Sequence, residues 1–233
     1  MDVNRGDRFD YLVSVDGEQK SYVAYADATL PPGDPRHARY AMADMNVTTI
    51  RTAKGRTIML QHDVSTPRPY SRLDLLSGTK GIIRGYPRLE IFLEGKDSWP
   101  LSRHGHHLFS EEETARYRAL YRHPLVKTTA ALAKSADGAA SGHGGIDYVM
   151  DLRWAYCLQQ GLPLDMDVYD LAAWCAVCEL SERSARDRSR PVDFPDFTRG
   201  GWKTPSASPL FTADIDLAKI DFANVAAKAK TSA

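Results

Sequence analysis

The stretch NVTTIRTAKGRTIMLQHDV (46–64) decides the fold of the first half of this chain. Two runs rich in β-branched and apolar residues, NVTTIRT (46–52) and TIMLQHDV (57–64), flank Lys54-Gly55. Such runs on either side of a glycine-containing turn predict an antiparallel hairpin. The following residues, STPRPY (65–70), contain two prolines. Proline cannot donate to a strand ladder, so the hairpin must end there.

Further short strands are predicted around the hairpin. Phe9 to Val15 has a strand pattern, and a second strand is predicted around Tyr22 to Ala26, with Asp16-Gly17 as the turn between them. Gly81 to Arg84 and Leu89 to Leu93 have the composition of two more. The first half of the chain is therefore expected to be mainly sheet.

Helix signals fill the second half. Ser110 followed by Glu113 is a capping box, and Pro124 begins a helix predicted to run to about Ala136. Apolar residues then recur at 3–4 spacing over 146–158 and over 168–178. Gly161 is expected to end the first of these helices, and Asp165 to cap the second. The predicted fold class is α+β: an open, mainly antiparallel β-sheet with helices packed on one face.

Composition narrows the functional classes. The chain has 233 residues, with 30 Lys+Arg and 30 Asp+Glu, so its formal net charge is zero. There is therefore no excess of basic residues to favour binding of a nucleic acid. No apolar run approaches the roughly 18 residues of a membrane span. We expect one domain over residues 1–203, incomplete at its N-terminus, and an extended, partly disordered tail over residues 204–233.

The sequence contains no glycine-rich motif of the kind that binds the phosphates of a nucleotide. Neither G-x-G-x-x-G nor G-x-x-x-x-G-K-[ST] occurs, and the densest glycine cluster, GAASGHGG (138–145), follows a helical pattern and not a strand. The chain is therefore not expected to bind a dinucleotide by itself.

Several motifs favour ordinary structural interpretations. Cys175-x-x-Cys178 lies within a helical pattern on its apolar stripe, so we predict core packing and no redox or zinc site. His104, His106 and His107 are predicted to lie in a solvated loop, and no metal site is expected. Arg5-Gly6-Asp7 is treated as a coincidence of three letters.

Two clusters are the candidate functional sites. His62-Asp63, followed by Arg68, Tyr70 and Arg72, places ionisable groups where the hairpin breaks into a proline-rich loop. The second candidate is His143, which has glycines on both sides just before a helix, so that a ligand can approach it closely. On the residues alone, either cluster could equally be a structural cap.

Long stretches of the chain resemble the family 109 glycoside hydrolases. The stretches are NRGDRFDYLVS (4–14), DMNVTTIRTAKGRTIMLQHDVSTPRPYSR (44–72), LLSGTKG (75–81), HGGIDYVMDLR (143–153), GLPLDMDVYDLAAW (161–174) and DFPDFTRGGW (193–202). The resemblance implies a bacterial NAD-dependent α-N-acetylgalactosaminidase on the glucose–fructose oxidoreductase scaffold. In this family a bound NAD⁺ oxidises the sugar at C3, the glycosidic group is eliminated, water adds, and the hydride is returned.

The resemblance also assigns residues and partners. Tyr70 and His143 are the implied catalytic and sugar-binding residues, and Arg68 and Arg72 are implied sugar-binding residues beside Tyr70. Family members carry a Rossmann domain before the stretch that begins at Asn4, so we expect NAD to be held outside this chain, if need be by a separate Rossmann chain, and this chain alone to be inactive. The expected ligand is a glycan ending in α-N-acetylgalactosamine, and a homo-oligomer through the sheet face is expected.

Alternatives from other classes remain open at this point. The chain could be a non-catalytic sheet domain for oligomerisation or sugar binding, or the C-terminal half of a sugar dehydrogenase. The sequence shows no signal peptide, so the chain as it stands is expected to be cytoplasmic, although many family members are exported.

Overall fold

A computed structural model describes residues 2–38, 40, 43–63, 65–94, 108–135 and 143–221. The chain divides into two compact units, residues 1–67 with 132–233, and residues 68–131. In the described ranges the strands are β1 (Phe9–Asp16), β2 (Met45–Thr52), β3 (Thr57–Asp63), β4 (Leu75–Gly78), β5 (Gly81–Arg84), β6 (Glu90–Leu93) and β7 (Val192–Asp193). The α-helices there are α1 (Ser21–Thr29), α2 (Glu111–Leu120), α3 (Pro124–Ala133), α4 (Ile146–Gln160) and α5 (Val168–Arg186).

The first unit contains a four-stranded sheet in the order β3-β2-β1-β7, with every neighbouring pair antiparallel. The hairpin β2–β3 was predicted from the sequence and is confirmed, as is the α+β class. Helix α5 packs across one face of this sheet. Its buried Ala173 and Leu180 join the sheet residues Leu12 and Ile50 in the core, together with Phe9 and Phe194.

Polar contacts anchor the N-terminal segment to this core. Arg5 donates to both carboxylate oxygens of Asp170 on α5, at 2.8 and 2.6 Å. Asp7 is fully buried and accepts from the backbone amide of Lys54 at 3.0 Å and from Arg56 at 2.8 Å. The Arg5-Gly6-Asp7 tripeptide is therefore a structural element of the fold.

The strand predicted around Tyr22 to Ala26 is wrong, because this segment is helix α1. The carboxylate of Asp44 accepts from the backbone amides of Lys20 and Ser21, both at 2.7 Å. These amides begin the helix, and an acceptor there stabilises its first turn. The capping group comes from a distant part of the chain, so the local pattern does not reveal it.

Two predictions about the last two helices are also wrong. Asp167 caps α5, accepting from the amides of Tyr169 and Asp170 at 2.9 and 3.1 Å, whereas Asp165 forms an ion pair with Arg153 at 3.0 Å. Cys175 and Cys178 are exposed instead of packed in the core. The reason is that α5 turns Ala173, Leu180 and Ser184 toward the sheet, and the two thiols lie on the opposite side.

The second unit contains the antiparallel sheet β4-β5-β6 and helix α2. The predicted capping box at the start of α2 is confirmed, with Ser110 accepting from the amide of Glu113 at 3.2 Å. Strand β4 was not predicted. Helix α3 begins at Pro124 as predicted and ends at Ala133, before the predicted end at about Ala136.

The segment after residue 203 packs along α4 as far as the structure describes it. Arg153 donates to the backbone carbonyl of Asp214 at 2.7 Å, and Ile215 and Ile220 are buried. The boundary at 203/204 stays a prediction. The predicted disorder beyond residue 221 and the His104, His106 and His107 loop lie outside the described residues.

In the described ranges, none of the helices combines the length and the apolar character that crossing a membrane requires.

Candidate functional site

Polar side chains hold the residues on either side of the end of β3. The carboxylate of Asp63 is buried and accepts from the backbone amide of Thr66 at 3.1 Å. Ser65 donates to Asp44 at 2.9 Å. Asp63 therefore links the end of β3 to Thr66, while His62 beside it is exposed.

Tyr70 and Arg72 lie together in the second unit. Arg72 donates through Nε to the Tyr70 hydroxyl, and its guanidinium carbon lies 5.7 Å from the centre of the Tyr70 ring. The hydrogen bond to the Tyr70 hydroxyl raises the pKa of Arg72. The Tyr86 hydroxyl donates to the Tyr70 carbonyl, and the two rings meet edge to face with centroids 6.0 Å apart. Arg68, two residues before Tyr70, is exposed.

This arrangement presents an aromatic surface with a cation beside it. The Tyr70 side chain is 67% exposed although its backbone and hydroxyl are both held. An exposed ring with a fixed hydroxyl and guanidinium offers an apolar face and hydrogen-bond donors in one place. Such a surface suits a ligand with hydroxyl groups.

His143 stands at the entry to α4 in the first unit. Its Nδ1 lies 2.8 Å from Oδ2 of Asp147, one helical turn further along the chain. In the tautomer with the proton on Nδ1, the ring donates to the Asp147 carboxylate and Nε2 is the acceptor. The side chain of His143 is 70% exposed, so Nε2 can meet a ligand.

The backbone that carries His143 is constrained by two glycines. His143, Gly144 and Gly145 all have positive φ, at 45°, 69° and 87°. A Cβ at Gly145 would lie 2.3 Å from the carbonyl oxygen of Ala133, too close for any other residue. The glycine is therefore required for this loop to lie against the end of α3, and it fixes the direction from which His143 leaves the backbone.

The structure thus pairs the predicted Tyr70 with the predicted Arg72, and the predicted His143 with a residue that was not predicted. Tyr70 contacts Arg72, and His143 contacts Asp147. Asp147 was not predicted as a site residue. The i, i+4 spacing of His143 and Asp147 at a helix start was a usable signal, because side chains at that spacing are neighbours on a helix surface.

The described residues do not fit a dinucleotide or a metal ion. The element described before the glycines at 144–145 is helix α3, whereas the glycines that bind a pyrophosphate lie between a strand and the helix that follows it. Between β1 and α1, a strand-to-helix connection, there is one glycine, Gly17. Among the described side chains, no three His, Cys, Asp or Glu residues are grouped so as to hold a metal.

Comparison with known proteins identifies the family to which this domain belongs. A family model described as "Glycosyl hydrolase 109, C-terminal domain" matches residues 1–204. The chain is thus an α+β domain of a glycosyl hydrolase. It is 47% identical over 205 residues to a glycosyl hydrolase family 109 protein of Solibacter usitatus, covering 88% of this chain and 43% of the relative. The chain belongs to glycosyl hydrolase family 109, which confirms the resemblance found in its motifs.

Two other relatives agree with this assignment. A family 109 protein of Shewanella amazonensis is 46% identical over 213 residues, covering 90% of this chain and 44% of the relative. Family 109 protein 2 of Phocaeicola vulgatus is 45% identical over 204 residues, covering 87% and 46% respectively. The chain therefore spans less than half of the length of these curated relatives.

Proposed function

We propose that this chain supplies the sugar-binding and proton-transferring part of a family 109 glycosidase that acts on terminal α-N-acetylgalactosamine. The observation that carries the proposal is the hydrogen bond between His143 and Asp147, at 2.8 Å, on a glycine-constrained turn. A histidine oriented by a carboxylate and open to solvent is a standard proton-transfer arrangement.

Each residue has a distinct role in this proposal. His143 accepts a proton from a sugar hydroxyl at Nε2, and Asp147 positions the ring through Nδ1. Tyr70 and Arg72, taken by themselves in the second unit, are a separate candidate sugar-binding pair, with the ring suited to the apolar face of a sugar and the guanidinium to a hydroxyl. Arg68 is a further sugar-binding candidate because it belongs to the same exposed segment.

The cofactor is proposed to be held elsewhere in a family 109 protein. Family members are expected to use NAD, and the described residues of this domain do not form a site that fits it. We therefore assign no step of the reaction on this chain to the cofactor, and propose that a Rossmann domain, in the same or a separate polypeptide, binds it.

Sugar binding by the full chain tests the proposal. Methyl α-N-acetylgalactosaminide is titrated into the protein, and binding is followed by calorimetry and by the imidazole signals of His143 in NMR. Asp147→Asn should weaken binding at least tenfold, because the amide no longer fixes the ring as a donor at Nδ1. The matched control is Asp27→Asn, since Asp27 lies 3.6 Å from a second histidine, His37. Equal affinity for the wild type and Asp147→Asn overturns the role of His143.

Turnover separates the glycosidase from the dehydrogenase alternative. Release of the aryl group from an aryl α-N-acetylgalactosaminide is measured with NAD⁺ added and omitted, first for this chain and then with the preceding part of the Solibacter usitatus relative supplied. We expect turnover only in the second case, without net NADH. Accumulation of NADH with no aryl release would favour a sugar dehydrogenase, and NAD-dependent turnover by this chain alone would contradict the cofactor assignment.

A second candidate function is homo-oligomerisation through the sheet. Val13, Thr49 and Met59 align across β1, β2 and β3 on the face away from α5, and Met59 is 75% exposed. Exposed apolar side chains on an open sheet favour pairing with another sheet. Sedimentation of the wild type and Met59→Lys tests this candidate: a dimer that dissociates in the variant supports it, and a monomeric wild type overturns it.

A further inference from the structure

Two cavities lie against helix α1 in the first unit. Their volumes are about 300 and 580 Å³. Small-molecule sites usually measure roughly 300–1,000 Å³, so both are of a suitable size. Tyr22 and Ser65 line both cavities, so the two adjoin, and Tyr40 lines the smaller one and Tyr25 the larger one. We call the two cavities together the tyrosine groove, after Tyr22, Tyr25 and Tyr40 in its walls.

The three tyrosines give the groove an aromatic wall. Tyr22 and Tyr25 lie three residues apart on α1, a spacing that makes side chains neighbours on a helix surface. The Tyr22 and Tyr40 rings meet edge to face, with centroids 5.3 Å apart. Tyr25 is 60% exposed and Tyr40 is 51% exposed, so both rings can meet a ligand. An exposed tyrosine offers an apolar ring beside a polar hydroxyl, which suits a ligand with an apolar face and a hydroxylated edge.

Hydrogen bonds hold the shape of the groove. The Tyr22 hydroxyl donates to the carbonyl of Arg36 at 2.7 Å. The buried carboxylate of Asp44 accepts from the Ser65 hydroxyl at 2.9 Å and from the Ser21 amide at 2.7 Å, so it joins the segment after β3 to the start of α1. Ser21 and Ser65 both line the groove. Because its walls are already fixed, little conformational entropy is lost when a ligand binds.

Gln19 and Ser65 supply hydrogen-bonding groups beside the rings. Oε1 of Gln19 accepts from the backbone amide of Tyr40 at 3.2 Å. The side-chain nitrogen of Gln19 carries two N–H donors, and among the described residues it has no acceptor. The Ser65 oxygen donates its proton to Asp44 and keeps the capacity to accept. A donor and an acceptor are therefore fixed where a ligand would lie.

The groove is electrically neutral. Among the described residues that line it, none has a charged side chain. Two basic residues near it in the sequence are already paired, Lys20 with Glu18 and Arg36 with Asp34, each at 2.7 Å. Recognition of a phosphate or a carboxylate relies on a cation, so an anionic ligand is a poor match.

We propose that the tyrosine groove is a second carbohydrate-binding site, which takes one neutral pyranose ring of a glycan. Neither Tyr70 nor His143 is among the described residues that line it. The chain belongs to a glycosyl hydrolase family, so a glycan is the class of ligand to which the groove is matched. The proposal rests on this family membership and not on the proton transfer proposed for His143, so either proposal can fail alone.

Each wall of the groove has a role in holding the sugar. A pyranose ring is uncharged, has a face of C–H groups and carries hydroxyls around its edge. The Tyr25 and Tyr40 rings pack against the C–H face. The Gln19 nitrogen donates to one hydroxyl oxygen, and the Ser65 oxygen accepts from another hydroxyl.

Binding of simple glycosides to the full chain tests the proposal. Methyl α-galactoside is titrated into protein with isotope-labelled tyrosine rings, and the ring signals are followed by NMR, because a single sugar ring binds weakly. We expect saturable shifts of the Tyr22, Tyr25 and Tyr40 signals. Methyl α-galacturonide, the same ring with a carboxylate, should bind at least threefold more weakly. Equal or tighter binding of the galacturonide, or no shift of these three tyrosines with the galactoside, overturns the proposal.

Substitutions connect the binding to the groove. Tyr25→Ala should weaken it at least fivefold, because one ring of the wall is lost while alanine is well tolerated in α1. Gln19→Glu keeps an oxygen for the Tyr40 amide and removes both donors, so binding should weaken at least threefold. Tyr121→Ala, at a 73% exposed tyrosine of the second unit, is the control and should bind like the wild type. Circular dichroism confirms that the variants are folded, and equal affinity of Tyr25→Ala and the wild type overturns the proposal.

The same spectra separate this proposal from the proposed function. Shifts confined to Tyr70 and His143 would support the proposed function and overturn a sugar site in the groove. Shifts of the Tyr25 signal that persist in Asp147→Asn would support the groove, whatever happens at His143. Phenol is the probe for an aromatic ligand, and binding of phenol without binding of methyl α-galactoside overturns the assignment to a sugar.

Discussion

Replacing Arg5 with methionine removes the guanidinium from an ion pair with little solvent exposure in the N-terminal segment, while an unbranched side chain stays in place of the aliphatic part of arginine. The side chains of Arg5 and Asp170 are 15% and 7% exposed, so solvent screens their interaction little. Removing one partner of a buried pair costs about 3–5 kcal/mol. Asp170 keeps contacts with Asn4 at 3.3 Å and with the Asp167 amide at 3.0 Å. We therefore expect a loss at the lower end, about 3 kcal/mol in the free energy of unfolding.

This loss should depend on pH. Burial alone would raise the pKa of Asp170, but the hydrogen bonds from Arg5 and from the Asp167 amide outweigh burial and lower it. A carboxyl group with a lowered pKa in the folded state stabilises the protein above its unfolded pKa of about 3.9, and this contribution is lost as pH falls through the folded value. The difference between the wild type and Arg5→Met should thus be constant near neutral pH and shrink in acid.

Urea unfolding followed by tryptophan fluorescence, at about pH 7 and about pH 3, measures both effects. Arg186→Met is the control, because Arg186 forms an exposed i, i+4 pair with Glu182 on the same helix. Its loss should be about 0.3–0.5 kcal/mol. A loss below about 1 kcal/mol for Arg5→Met, or an equal difference at both pH values, would refute the assignment of Asp170 as a charged, buried partner.

Two other predictions concern α4. Gly145→Ala should lower the free energy of unfolding by at least about 2 kcal/mol, because the new Cβ meets the Ala133 carbonyl and the residue must also keep a positive φ. Gly144→Ala has open space around it and should cost only about 1 kcal/mol in the same urea titration. Similar losses for the two variants would contradict the close approach of Gly145 to Ala133. In a thiol titration of this chain alone, the exposed Cys175 and Cys178 should react quickly and the buried Cys157 slowly. The reason is that burial raises the pKa of the Cys157 thiol, and the thiolate is the reactive form. Three equally fast thiols would contradict the burial of Cys157.

The elements that the sequence predicted well are those whose determinants are local. The β2–β3 hairpin follows from two strand patterns on either side of one turn, and α2 from a capping box within its first residues. Helix α1 was missed because its capping carboxylate, Asp44, lies more than a dozen residues beyond the helix end. Strand β7 was missed because two residues, Val192 and Asp193, form a strand only by pairing with β1.

In the candidate site, too, the features set by local sequence were predicted and those set by the rest of the chain were not. Tyr70 and His143 were predicted because they lie where a strand or helix ends or begins, and glycine and proline mark such positions in a sequence. The burial of Asp63 in its own turn could not be predicted, because it depends on the conformation of the residues that follow it. The exposure of Cys175 and Cys178 was missed for a related reason: a helical apolar pattern does not show which side of the helix the rest of the chain covers.

The motifs that identify this family therefore contain two kinds of residue. Arg5, Asp7 and Asp170 are satisfied within the domain, and among the described residues every buried side-chain nitrogen and oxygen has a hydrogen-bond partner. Tyr70 and His143 are held in place yet exposed, which folding by itself does not require. The proposed function gives these two residues a ligand.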